Sequence, residues 1–149
     1  TEFIPPKTAG AIEGLYFKYP NGTRVNHKQW GDSNAIQFIG DDGTIEVSRS
    51  FLRCSNPTLN DLKFSGKDKR LHYSDNHYAD WIKSIKDRSK PVASVEIGHR
   101  TATVCNAVNI AYELQKDIKW NPKTEQFDNA YANNMKSRPY RGTWDYKNY

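Results

Sequence analysis

The chain has 149 residues, a length that fits one domain able to bury about 68–70% of the surface its unfolded form exposes. Its net charge is +5, its pI is near 9.1, 36% of its residues are apolar and its mean hydropathy is −0.89. No run approaches the ~18 apolar residues of a membrane span, and no charged start leads into an apolar stretch as in a secretion signal. These features predict a soluble protein without membrane contact; a start at Thr1 leaves room for an upstream signal or domain, so the compartment, cytoplasm or periplasm, stays open.

The basic balance raises nucleic acid as a partner, with Lys63, Lys67, Lys69 and Arg70 as its densest group. Asp61 and Asp68 interrupt that group, and no nucleic-acid motif accompanies it, so none is expected to bind. Four Trp, nine Tyr and six Phe predict an aromatic, shallow core with apolar surface left over for a partner.

The first sixty-odd residues read as β structure. Leu15, Phe17 and Tyr19 alternate onto one face, Pro20-Asn21-Gly22 supplies a tight turn, and residues 23–27 return as a second strand. A second hairpin pairs residues 35–39 with 44–47 around Asp41-Asp42-Gly43. Phe51 and Leu52 continue the sheet, and an irregular connection follows around Leu59, Leu62 and Phe64.

The period then changes. Tyr78, Trp81, Ile82 and Ile85 recur at i, i+3, i+4, i+7, which predicts an amphipathic helix capped by Asp75 or Asn76 and ending near Arg88, before Pro91. A longer helix is expected between Glu96 and Gln115, with Val104, Cys105, Val108, Ala111 and Tyr112 as its apolar stripe and Ala102 and Ala107 permitting close packing. Cys54 and Cys105 are expected to be buried thiols rather than a disulfide. Residues 117–122 read as a short extended segment and residues 129–136 as one or two further helical turns. The aromatic and Arg-rich tail from Arg138 through Trp144 is expected to lie as an ordered strap.

Chemical motifs are scarce. The sequence contains no GxGxxG, Walker loop, GxSxG or HExxH, so it has no recognisable means of holding a dinucleotide and no expected metal site. Two cysteines alone cannot make a zinc site, and His27, His72, His77 and His99 do not match metal-ligand spacing. His77 begins a helix, where a local capping bond competes with a functional role. Glu96-Ile97-Gly98-His99-Arg100-Thr101 gathers an acid, a titratable ring and a guanidinium at a helix N-terminus. Such a group could orient a hydroxyl- or carboxylate-bearing ligand; equally, Glu96 could cap the helix and Arg100 bind neighbouring backbone.

Several segments carry a resemblance that no single motif does. His77-Tyr78-Ala79-Asp80-Trp81-Ile82-Lys83-Ser84-Ile85, then Lys90-Pro91-Val92-Ala93, then Val95 through Cys105, resemble Gfo/Idh/MocA oxidoreductases. Asn109-Ile110-Ala111-Tyr112, Lys119-Trp120-Asn121-Pro122 and Ser137-Arg138-Pro139-Tyr140-Arg141 are similar to the C-terminal ends of a bacterial branch of that family, and residues 40–47 to its sheet hairpin.

From about Leu15 onward, the resemblance implies an α+β domain whose open, mostly antiparallel sheet carries helices on one face and serves homo-oligomerisation on the other. Residues 1–149 would then be a single C-terminal substrate and oligomerisation domain. NAD or NADP would be bound by an N-terminal Rossmann domain absent from this chain, and no cofactor is expected for the chain alone. A hydride would pass between nicotinamide and a sugar, cyclitol or related polyol.

The family's catalytic Lys lies in an E-K-P motif and its Asp/His pair early in the substrate domain. Neither occurs here; Lys90-Pro91 follows Ser89, so no catalytic residue is carried over. The resemblance leaves Trp30, His77, His99 and Arg100 as candidates for the substrate-pocket wall, with Trp30 either stacking on a sugar ring or packing at a strand end. The competing reading is a non-catalytic binding or assembly module that has lost the nucleotide domain.

Overall fold

Both turns expected from glycine and proline form hairpins in a computed structural model of the chain, which describes residues 1–30, 34–59, 61, 63 and 65–142. In chain order the strands are β1 (Glu2–Ile4), β2 (Tyr16–Lys18), β3 (Arg24–Asn26), β4 (Ile36–Gly40), β5 (Gly43–Val47) and β6 (Leu52–Cys54). A 3-10 turn (Pro57–Leu59) leads to helices α1 (His77–Asp87) and α2 (Val95–Leu114), then to β7 (Ile118–Asn121), β8 (Gln126–Phe127) and α3 (Ala130–Asn134). The chain divides into two compact units, one of residues 1–29 with 93–149, the other of residues 30–92.

The first unit is an open five-stranded antiparallel sheet in the order β3-β2-β1-β7-β8. Residues directly opposite in such a ladder share a face. Phe3 stands opposite both Phe17 and Ile118, and Phe17 opposite Val25, so one face is continuously apolar. Against it pack Ala107, Ile110 and Ala111 of α2 and Ala132 of α3, which places both helices on that face. The alanines let α2 approach closely, and Phe3 is left 1% exposed. Removing its ring from water contributes on the order of 1.5–3 kcal/mol.

The opposite face carries the row Arg24, Lys18, Glu2, Lys119. The Lys119 ammonium lies 3.0 Å from the Glu2 carboxylate, and the Arg24 guanidinium sits 3.8 Å over the Tyr16 ring. This is a solvated surface.

Three expectations about the core need correction. The buried cluster is Phe3 and Phe127 among Ala and Ile rather than predominantly aromatic. The buried stripe of α2 is Ala107, Ile110 and Ala111, with Val104, Val108 and Leu114 at its margin. Cys105 falls outside that arc and is exposed, as is Ala102, while Cys54 is half-buried; both thiols are free.

The second unit holds a three-stranded antiparallel sheet, β4-β5-β6. Its turn depends on Gly43, at φ +144°, where an added Cβ would lie 2.7 Å from Ser55 Oγ. That hydroxyl accepts the Thr44 N–H at 2.8 Å and joins the turn to the end of β6. Ile36, Val47 and Leu52 form one cross-strand row and Phe38, Ile45 and Cys54 another on the same face. Ile36, Phe38 and Leu52 are 58–63% exposed, so this apolar face is uncovered.

Helix α1 begins where Asn76 Oδ1 accepts the Tyr78 and Ala79 N–H groups at 3.1 and 3.0 Å, which settles the cap on Asn76 rather than Asp75. It ends at Arg88 in a left-handed conformation. The Asp80 carboxylate accepts the Val92 N–H at 2.7 Å and His72 Nε2 at 3.1 Å, tying together the segments on either side of the helix. Tyr78, Trp81, Ile82 and Ile85 share the expected face but remain exposed. Leu62, Phe64 and the tail from Thr143 through Trp144 lie outside the described residues.

Candidate functional site

Helix α2 starts when Ser94 accepts the Ile97 N–H, so Ser94 rather than Glu96 is the cap. Glu96 is thereby available for Arg100, one turn along, whose Nε donates to its carboxylate at 2.8 Å. Arg100 Nη1 donates to the Pro122 carbonyl at 3.1 Å, the backbone contact that the sequence allowed. His99, the neighbour of Arg100, donates from Nε2 to Glu125 Oε1 at 2.7 Å, and Arg100 Nη1 lies 3.9 Å from that same oxygen.

Glu125 comes from the turn between β7 and β8. The turn closes when the Glu125 N–H donates to the Asn121 carbonyl at 2.9 Å, while Asn121 Oδ1 accepts the Lys123 N–H at 3.0 Å. Glu125 then adopts φ +52°, a left-handed conformation that costs a residue with a Cβ roughly 1–2 kcal/mol. Lys136 Nζ holds its carbonyl at 2.8 Å. The His99 hydrogen bond, with added attraction from His99, Arg100 and Lys136, holds the Glu125 carboxyl below its ordinary range.

Two clefts flank this cluster in the first unit. His99 and Glu125 edge one of about 710 Å³, and Arg100 edges the other, of about 480 Å³ with Phe3, Tyr19, Val104 and Pro122 in its wall. Trp120 and Thr103 line both. Of the four residues singled out by sequence, His99 and Arg100 are therefore brought together at one carboxylate. Trp30 and His77 belong to the second unit; Trp30 is half-buried, and the His77 ring packs 4.0 Å from that of Tyr78 rather than supplying the cap.

A family described as "Oxidoreductase family, C-terminal alpha/beta domain" matches residues 5–146. The chain is a C-terminal domain of the Gfo/Idh/MocA oxidoreductase family. All four candidate residues and Glu125 lie within the matched span. No curated protein and no solved structure matches the chain.

Gfo/Idh/MocA C-terminal domains are typically paired with a nucleotide-binding domain, and the fit of a dinucleotide to this chain's own residues can be judged from α2. Glu96 occupies its first turn, where a carboxylate repels a pyrophosphate, and no Gly-rich turn brings backbone N–H groups forward. The first turn of α2 therefore does not fit the nucleotide's pyrophosphate. Among the described residues, no three His, Cys, Asp or Glu side chains gather as a metal ion would require, and no helix is long and apolar enough to cross a membrane.

Sequence reasoning missed Glu125. Its signal was Asn121-Pro122 leading into Lys123-Thr124, a turn sequence that returns the chain toward the start of α2.

Proposed function

We propose that this chain is the substrate-side domain of an NAD(P)-dependent oxidoreductase acting on a sugar, cyclitol or related polyol, with the nucleotide held by an N-terminal Rossmann domain of the same protein. His99 and Arg100 form part of the pocket wall. The observation that carries this reading is the His99–Glu125–Arg100 cluster at the edge of two clefts: a ring hydrogen-bonded to the Glu125 carboxylate, and a guanidinium held by Glu96 and the Pro122 carbonyl that lies 3.9 Å from that carboxylate. Such a group binds and orients hydroxyls.

The test is hydride transfer to NAD+ or NADP+ by the full-length protein across neutral polyols. His99→Ala and Arg100→Gln are expected to raise KM more than they lower kcat. Unchanged KM in both variants, or no polyol-dependent reduction of either nucleotide, would overturn the reading.

A second reading, an assembly module, is favoured by the uncovered apolar face of Ile36, Phe38 and Leu52. Homo-oligomerisation through that face accommodates both roles, whereas the helix-free face of the five-stranded sheet is charged. Phe38→Glu is expected to lower the mass measured by analytical ultracentrifugation. An unchanged mass would remove this face from assembly.

A further inference from the structure

The larger cleft of the first unit has a lining that the cluster at its edge does not use. From α2 it receives Asn106, Asn109 and Glu113, spaced three and four residues apart and so on one helix face; from the other side it receives Trp120, Lys136 and Arg138. Lys136 donates to the Glu125 carbonyl, and its ammonium lies 5.9 Å from the centre of the Trp120 ring. Among the described residues, the side chains of Asn106, Asn109, Glu113 and Arg138 form no hydrogen bond or ion pair. Trp120 is half-buried, with its ring packed 4.7 Å from that of Phe127.

This combination selects a chemical class. An indole in a cleft wall offers a flat apolar platform for the C–H face of a sugar ring, and two amides with a carboxylate offer both donors and acceptors to hydroxyls. An uncommitted guanidinium pairs with a carboxylate through two parallel hydrogen bonds. Glu113 in the same lining repels a second negative charge, which favours a carboxylate over a phosphate dianion.

We propose that this cleft binds a sugar acid, with its ring on Trp120, its hydroxyls on Asn106, Asn109 and Glu113, and its carboxylate on Arg138. The assignment rests on the polyol reading above and narrows it to an anionic member. It also gives Arg138, which lies beyond α3, a positioning role.

The test is calorimetric titration of the full-length protein, without nucleotide, by D-glucuronate, D-glucose and D-glucose 6-phosphate. Glucuronate is expected to bind at least about tenfold more tightly than glucose, the difference expected of one charge-assisted contact. Arg138→Gln brings glucuronate affinity down to that of glucose, while Asn106→Ala weakens both sugars. Equal affinities for glucuronate and glucose, tighter binding of the phosphate, a preference retained in Arg138→Gln, or no glucuronate binding would each overturn the assignment. Hydride transfer from a neutral polyol without glucuronate binding would sink this inference alone and leave the oxidoreductase reading standing.

Discussion

His99 and Glu125 are 26 residues apart in the chain, yet their side chains meet at 2.7 Å. The contact joins the first turns of α2 to the turn between β7 and β8, and it holds the carboxylate where Arg100 also reaches it. Because Glu125 occupies a left-handed conformation, its position is fixed by the surrounding bonds rather than by local preference.

The depressed Glu125 titration has a definite pH consequence. A carboxyl whose folded pKa lies below its unfolded value stabilises the fold fully above the unfolded value, and that contribution is lost as pH falls through the folded one. Carbon-detected NMR should place the Glu125 midpoint below the ordinary 4.5, and His99→Ala should raise it toward that value. An unmoved midpoint in the variant would show that His99 is not the cause.

Replacing Asn76 by Ala strands two N–H groups at the start of α1. The expected cost is about 1 kcal/mol, read by denaturant titration, with faster amide exchange at Tyr78 and Ala79 than at Ile85. Asn76→Asp should retain most of the stability.

Gly43→Ala meets both a backbone that disfavours a Cβ and the Ser55 hydroxyl in its path. A loss of more than about 1 kcal/mol is expected, with amide exchange accelerated across β4 and β5. Gly22→Ala offers a comparison, since its Cβ would meet nothing within 4 Å and only the φ penalty applies.

Phe3→Ala empties the centre of the five-stranded sheet. With the ring 1% exposed and facing Ala107 and Ile118, the expected loss is about 3–5 kcal/mol in the denaturation midpoint analysis. A loss under about 1 kcal/mol would mean that this face is not the core.

The two hairpins were legible because their turns contain residues that few other conformations favour, and α1 because four large apolar residues mark one face. The caps were harder: Asp75 and Asn76 are both good N-caps, and only the backbone geometry separates them. On α2, Val104, Val108 and Ala111 fall on the buried side as expected, but alanine carries little hydropathy contrast, so Cys105 and Tyr112 outweighed Ala107 in the pattern. β1 and β8, with three and two residues, are too short for alternation to register. His99 and Arg100 stood out as a cluster, but their common partner Glu125 depended on a strand pairing that the local sequence does not encode.

β1 lies between β2 and β7, so one edge of the sheet's central strand is paired by a near neighbour and the other by a segment far along the chain. Ile118 follows Phe3 by 115 residues, or roughly 6–23 s at ordinary translation rates. During that interval the hairpin of β4 and β5, which needs only neighbouring residues, can already form. Phe3 meanwhile remains exposed to chaperones and to other nascent chains, and loss of the segment from β7 onward would leave that strand with a bare edge.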